Sequence, residues 1–286
     1  MFGKNEVVGK KYFENAGDKL FVTSVFMTLQ GEGPYRGEPA VFVRLTKCNL
    51  SCYFCDTWFD SGDWLSYDQL IEKIHNAIMI AYPKGIPTWL INSNDKKIHC
   101  GLVITGGEPM LQKNLTTFLY KADETFNWVQ IESNGTIMQD IPSTTTLVCS
   151  PKCSEKLGKP IKYLQPNEQV LQRASCLKFV MSADQNSPYS QIPQWALDWK
   201  ESTGKQIFIS PMNIYNKEPE RNKTIKSNSN ATTLEQRSID DEVISFWTPG
   251  LLNMDQNQIN HTYAAKYCLE NGCIYNLQVH LYAGLA

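Results

Sequence analysis

Short, mostly apolar runs that each stop at a polar turn limit the fold of this chain more than any other feature. Residues 101–104 break at Thr105-Gly106-Gly107-Glu108-Pro109, 128–131 at Glu132-Ser133-Asn134-Gly135, and 146–149 at Ser150-Pro151-Lys152. Residues 176–181 and 206–209 stop the same way, at Ser182-Ala183-Asp184 and Ser210-Pro211-Met212. Runs this short and this rich in apolar residues suit strands buried on both faces, as in a parallel sheet. Helical spacing fills the gaps. Leu70, Ile71, Ile74, Ala77, Ile78 and Ala81 recur on one helical face behind a Ser66/Gln69 capping box. Residues 110–124, with Pro109 suited to a first turn, and 191–203 and 258–270 are further expected helices. Residues 20–27, 40–45 and 274–279 are further expected strands. Strand, polar turn, helix, repeated, predicts an α/β fold with parallel strands and crossover helices. Its polar clusters fall at the C-terminal strand ends, where such folds place active sites.

The 286 residues suffice for one large α/β domain over 1–286, and 42% hydrophobic content provides its core. The stretch 218–241 breaks the rhythm: it is rich in Asn, Ser, Thr and Lys and reads as an exposed polar insertion. With a net charge of −2 and no dense Lys/Arg cluster, direct nucleic-acid binding is not expected. Nor is a membrane partner, since no apolar stretch reaches spanning length and the first residues lack a signal peptide's features. Nine cysteines, an odd number, predict reduced thiols in a cytoplasmic setting.

Three of those cysteines carry the chemistry. Cys48, Cys52 and Cys55 stand in Cys-Asn-Leu-Ser-Cys-Tyr-Phe-Cys, directly after the expected strand 40–45. The C-x3-C-x2-C spacing offers three thiolates and no fourth, which leaves one iron of a [4Fe–4S] cube open to a small molecule. Structural zinc normally takes four ligands, and neither Asp56 nor His75 completes a zinc pattern. Buried, unligated thiols are the other alternative. The turn Gly106-Gly107-Glu108-Pro109 lets backbone approach closely and supplies a carboxylate that can accept hydrogen bonds from an ammonium group. A second pair, Cys149 and Cys153, has C-x3-C spacing but no third partner beside it.

The cysteine triplet followed by Gly-Gly-Glu-Pro resembles the radical S-adenosylmethionine superfamily. A narrower likeness is to the 7-carboxy-7-deazaguanine synthase family. It is carried by Gln30-Gly31-Glu32-Gly33, Val41-Phe42-Val43-Arg44-Leu45 and Cys48 through Cys55-Asp56-Thr57. It continues through Glu132-Ser133-Asn134-Gly135, Ser150-Pro151-Lys152, Ser210-Pro211-Met212 and Gln278-Val279-His280. Lys47 stands where that family usually has glycine, and Leu281 where a basic residue is usual.

The resemblance implies a partial (β/α) barrel of the radical enzyme type. It also implies radical ring contraction of 6-carboxy-5,6,7,8-tetrahydropterin to 7-carboxy-7-deazaguanine with loss of ammonia. The implied cofactors are a [4Fe–4S] cluster on Cys48, Cys52 and Cys55, S-adenosylmethionine, and Mg2+ on the Thr57 hydroxyl. Gly106, Gly107, Glu108, Ser133, Asn134, Ser150 and Lys152 would line S-adenosylmethionine. Gln30, Glu32, Arg44, Thr105 and His280 would meet the pterin, the Glu32 carboxylate facing ring N–H donors and the Arg44 fork the substrate carboxylate. A flavodoxin or ferredoxin as electron donor and a homodimer are further implications. Lys178, inside Leu-Lys-Phe-Val, has the ordinary reading of an outward, solvated lysine. A glycyl-radical activase and a non-catalytic metal-holding module are the alternative functions.

Overall fold

In the computed structural model, which describes residues 5–91, 97–215, 220–221, 247–248 and 252–282, the apolar runs pair into one nine-stranded sheet. Strand β1 (Leu20–Leu29) runs antiparallel to β2 (Pro39–Leu45), and β3 (Asp63–Leu65) pairs antiparallel with β1 at that edge. From β2 onward every pairing is parallel. β4 (Ile98–Gly106), β5 (Phe126–Ser133) and β6 (Thr146–Cys149) follow in order. The chain then leaves the sheet in an antiparallel hairpin, β7 (Cys153–Lys156) and β8 (Lys159–Tyr163). It returns as β9 (Cys176–Met181) and β10 (Ile207–Pro211). A two-residue pair, β11 (Glu220–Arg221) and β12 (Trp247–Thr248), stands apart, and β13 (Ile274–Tyr275) ends the sheet beside β10. The edge strands β3 and β13 do not pair with each other, so the sheet is an open, partial barrel of seven parallel strands.

Helices α1 (Tyr67–Ala81), α2 (Leu115–Thr125), α3 (Glu168–Arg173), α4 (Gln194–Thr203) and α5 (Met254–Asn271) cover one face, and α6 (Val279–Tyr282) ends the described chain. Alternation along the strands decides which residues meet them. Val43, Ile104, Ile131, Phe179 and Ile209 enter one core with Ile74, Phe118, Trp199 and Cys268 of the helices. That core runs from Phe13 to Cys268. The α1 start is fixed by the expected box: the Ser66 hydroxyl takes the Gln69 N–H and the Gln69 side chain takes the Ser66 N–H. The opposite face has only small apolar patches, Ala40, Phe42 and Val103 on one side and Val148, Cys176 and Phe208 on the other. Polar side chains occupy the space between them.

Three expected elements differ. The helix over 110–124 is split into a 3-10 turn, Pro109–Leu111, and α2, because Glu108 and Gln112 bond elsewhere. The Glu108 carboxylate takes the Met110 N–H, and the Gln112 amide binds both the N–H and the carbonyl of Phe21. The helix over 191–203 starts at Gln194, behind Pro193. The strand over 274–279 stops at Tyr275, since Asn276 turns inward to Gly33 and Ser210. The polar insertion 218–241 lies outside the described residues, Glu220 and Arg221 apart. Cys149 and Cys153 pack in separate apolar clusters, as core thiols do.

Candidate active site

The thiol loop begins where β2 ends. Lys47 carries φ 66, a left-handed conformation that glycine adopts without strain, and is nevertheless a buried lysine. Its ammonium pairs with Glu6 at 2.6 Å and lies 3.7 Å from Asp60, so the strained turn doubles as an anchor for the N-terminal segment. Beyond it, Cys48 is buried and Cys52 and Cys55 are half-buried. The Leu50 N–H points at the Cys48 sulfur at 3.5 Å, the Asn134 amide stands 3.9 Å from it, and the Cys55 N–H closes on the Cys52 carbonyl at 3.0 Å. Burial pushes the Cys48 thiol up to about 12 and the Cys52 thiol up to about 11, and raises Cys55 as well; Cys52 adds to the rise at Cys48, and both add to it at Cys55. Lys152 opposes this at both Cys48 and Cys52.

Among the described residues no three His, Cys, Asp or Glu side chains converge on a single-ion position. Three soft thiols spread along one loop, with N–H donors at the sulfur, suit the separated corners of an iron–sulfur cube.

Beside the loop, the Gly-Gly-Glu turn closes the end of β4. Gly106 has φ 122, and a β-carbon there would lie 2.0 Å from the Leu45 carbonyl oxygen. One on Gly107 would lie 1.9 Å from the Lys47 carbonyl oxygen. Both glycines therefore let β4 press against the backbone leading to Cys48, and the N–H groups of Gly107 and Glu108 bond the carbonyls of Leu45 and Lys47. Glu108 is fully buried. Its carboxylate accepts from the Ser133 hydroxyl at 2.9 Å, the Asn134 N–H at 2.7 Å and the Met110 N–H at 3.0 Å. Burial raises its pKa against those three donors and Lys152. The Lys152 ammonium bonds the Ser150 carbonyl and hydroxyl, each at 2.6 Å. Gly106, Gly107, Glu108, Ser133, Asn134, Ser150 and Lys152 thus form one continuous rim at the ends of β4, β5 and β6.

The open face of the sheet holds the second half of the site. Arg44 and Thr105 are register neighbours on β2 and β4. The Arg44 guanidinium donates to the Thr57 hydroxyl at 3.0 Å and lies over the Phe26 ring. Thr57 in turn donates to Asp56 at 3.2 Å, so one hydroxyl lone pair remains for a cation beside an adjacent carboxylate. Deeper in, Lys178 is buried rather than outward and solvated. Its ammonium bonds Glu132 at 2.6 Å and also Glu32, so two carboxylates share one cation. Burial pulls the Lys178 pKa down, the two carboxylates push it up by more, and the group stays raised. Glu32 also accepts from the Ser210 hydroxyl at 3.2 Å. Gln30, buried, binds the Glu32 N–H at 3.1 Å and so shapes that turn. The backbone of His280 lies in α6, and its side chain is outside the description.

Sequence reasoning did not assign Glu132, Lys178, Ser210 or Asn276. A signal existed for two of them. Gln130 and Glu132 alternate with Val129 and Ile131, and Lys178 with Leu177 and Phe179, which places polar groups on one face of otherwise apolar strands.

No family model matches the chain. Over 285 residues, all of this chain and 96% of the relative, it is 31% identical to the 7-carboxy-7-deazaguanine synthase of Rickettsia prowazekii (strain Madrid E). Over 224 residues, 74% of this chain and 82% of the relative, it is 34% identical to that of Rhodospirillum rubrum. The crystal structure of QueE from Escherichia coli shares the fold, with a TM-score of 0.52 and 19% identity over 94% of this chain and 98% of the other.

Proposed function

The chain belongs to the 7-carboxy-7-deazaguanine synthase family, and we propose that the rim and the open sheet face are the two halves of its active site. The activity is radical ring contraction of 6-carboxy-5,6,7,8-tetrahydropterin to 7-carboxy-7-deazaguanine with loss of ammonia. Cys48, Cys52 and Cys55 would hold the [4Fe–4S] cluster, and Gly106, Gly107, Glu108, Ser133, Asn134, Ser150 and Lys152 would receive S-adenosylmethionine. When bound, these groups supply a 5′-deoxyadenosyl radical that abstracts hydrogen from the substrate. The protein's part is to bind, orient and shield.

Glu32 presents a carboxylate to the guanidine-like edge of the pterin, held in place by Lys178 and Ser210. Gln30 sets the turn that carries it. Arg44 and Thr105 face the same space, where the Arg44 fork takes the substrate carboxylate, and Thr57 gives Mg2+ a neutral oxygen. His280 would join them from α6. The observation that carries this reading is Arg44: its guanidinium joins Thr57, two residues past the third cysteine, to the face that holds Glu32, Glu132 and Lys178.

The whole chain is read as one domain, and a homodimer, a cytoplasmic setting and a flavodoxin or ferredoxin as electron donor come with the family. Nine free thiols suit a reducing compartment. Among the described residues no helix is long and apolar enough to cross a membrane. Anaerobically reconstituted protein should be brown, with about four irons per chain. Reduced and given carboxytetrahydropterin, S-adenosylmethionine and Mg2+, it should form a product with the ultraviolet spectrum of a deazaguanine. A brown, reducible protein that leaves the pterin untouched would contradict the assignment.

A further inference from the structure

An electron donor must approach the thiol loop closely, because electron transfer weakens steeply with distance. The β7–β8 hairpin is an exposed element that touches that loop, as the N-terminal segment also does through Val8 and Cys48. Glu155 on β7 accepts the Tyr53 N–H at 2.7 Å, between Cys52 and Cys55. The Cys153 N–H donates to the Tyr189 hydroxyl at 2.8 Å, and the Tyr189 ring meets Phe54 edge-on at 5.0 Å. The base of the hairpin is thus fixed to the loop.

The tip has a different character. Leu157 and Gly158 form its two-residue turn, both with positive φ, 53 and 72. Asn-Gly or Asp-Gly is the usual choice in such a turn. A leucine there costs about 1–2 kcal/mol of backbone strain, and its side chain is 94% exposed, so no contact within the fold offsets the cost. Ile161, on β8, is exposed as well. Lys156 and Lys159 pair across the hairpin on either side of the turn, and Lys162 follows on β8, all three exposed. An exposed apolar tip on a hairpin that carries three exposed cations suits a partner with an apolar centre and acidic surroundings.

We propose that the β7–β8 tip is the docking surface for a flavodoxin-class electron donor. Leu157 and Ile161 meet the apolar dimethylbenzene edge of its flavin, and the three lysines meet the carboxylates around it. The donor's flavin is oxidised by one electron and the cluster is reduced by one. The inference rests on the radical-enzyme reading and identifies where that enzyme receives its electron. A ferredoxin, whose cluster sits beneath polar backbone, offers no comparable apolar edge.

The test uses the reconstituted holoenzyme, a triple variant Lys156→Glu, Lys159→Glu and Lys162→Glu, its Lys→Gln counterpart in case charge reversal unfolds the hairpin, and Leu157→Ser. Purified flavodoxin is titrated calorimetrically at low and moderate salt, and turnover is measured with flavodoxin and with dithionite. Charge reversal should weaken association by about tenfold or more at low salt and flatten its salt dependence. The Gln variant and Leu157→Ser should weaken it less, and dithionite-driven turnover should be unchanged in all. Unaltered flavodoxin affinity in both triple variants would overturn the proposal. So would equal losses of dithionite-driven and flavodoxin-driven turnover, which would make the hairpin a support of the thiol loop alone. A ferredoxin that binds through these lysines while flavodoxin does not would overturn it too. If the parent forms no deazaguanine with either reductant, the functional reading fails, and the calorimetry still judges the surface because it needs no turnover.

Discussion

At the scale of single residues, the buried ammonium of Lys178 sets the charge balance of the site. Two carboxylates, Glu32 and Glu132, share it inside the sheet. Replacing it by methionine keeps the stem and removes the charge, leaving two like charges close together and unpaired. Breaking a buried pair from one side costs about 3–5 kcal/mol, so Lys178→Met should lower unfolding stability by that order in urea at pH 7. Because the folded pKa of Lys178 is raised, its contribution is fully present below the ordinary lysine value of 10.5 and is lost only as pH climbs beyond it. The gap between the two proteins should therefore stay constant from pH 7 to 10; a gap that shrinks within that window would remove Lys178 as its source. Thr57 gives a second, separate prediction. Thr57→Ala takes away the neutral oxygen but none of the thiols, so iron content should match the parent while the Mg2+ needed for half-maximal turnover rises about tenfold or more. Unchanged metal dependence would take Thr57 out of the cation site.

At the scale of elements, the turn after β4 is a packing device before it is a binding device. A β-carbon on Gly107 meets backbone, 1.9 Å from the Lys47 carbonyl oxygen and 2.3 Å from its carbon, and neither can move without dragging Cys48. Gly107→Ala should cost about 1–3 kcal/mol and cut the iron retained after reconstitution, with far-ultraviolet circular dichroism unchanged; full iron loading would show that the loop adapts. The sequence reading found the ends of β4, β5 and β6 because an apolar run that stops at Gly-Gly-Glu, Glu-Ser-Asn or Ser-Pro-Lys is visible without a structure. It missed the β7–β8 hairpin because Lys-Pro-Ile-Lys-Tyr has no buried alternation and a leucine fills the turn position that Asn or Asp would have marked. The outward, solvated reading of Lys178 stayed open because one lysine in an apolar strand does not reveal that it meets Glu32, 146 residues away.

At the scale of the whole molecule, the two edges of the sheet do not pair among the described residues, and the turn after β1 and the segment after β13 bridge part of the gap. The turn after β1 reaches the segment after β13 through three bonds. The Gly33 N–H donates to the Asn276 side-chain Oδ1 at 3.0 Å, the Arg36 guanidinium to the Tyr275 backbone carbonyl at 2.8 Å, and the Val279 N–H to the Gly31 backbone carbonyl at 3.4 Å. Asn276 is fully buried and also donates to the Ser210 hydroxyl at 2.8 Å, which in turn bonds Glu32. One amide thus ties the far edge of the sheet to the turn that offers Glu32 to the pterin. Asn276→Ala leaves the Gly33 N–H buried without a partner and Ser210 free to rotate, at a cost of about 1–3 kcal/mol. Much of that cost falls on the position of Glu32, since the thiol loop and the Glu108 rim hang from other strands. The KM for carboxytetrahydropterin should rise about tenfold, the equivalent of about 1.4 kcal/mol, while iron content and the affinity for S-adenosylmethionine stay at parental values. Equal weakening toward both ligands would mean that the bridge holds up the whole sheet rather than the substrate end of it.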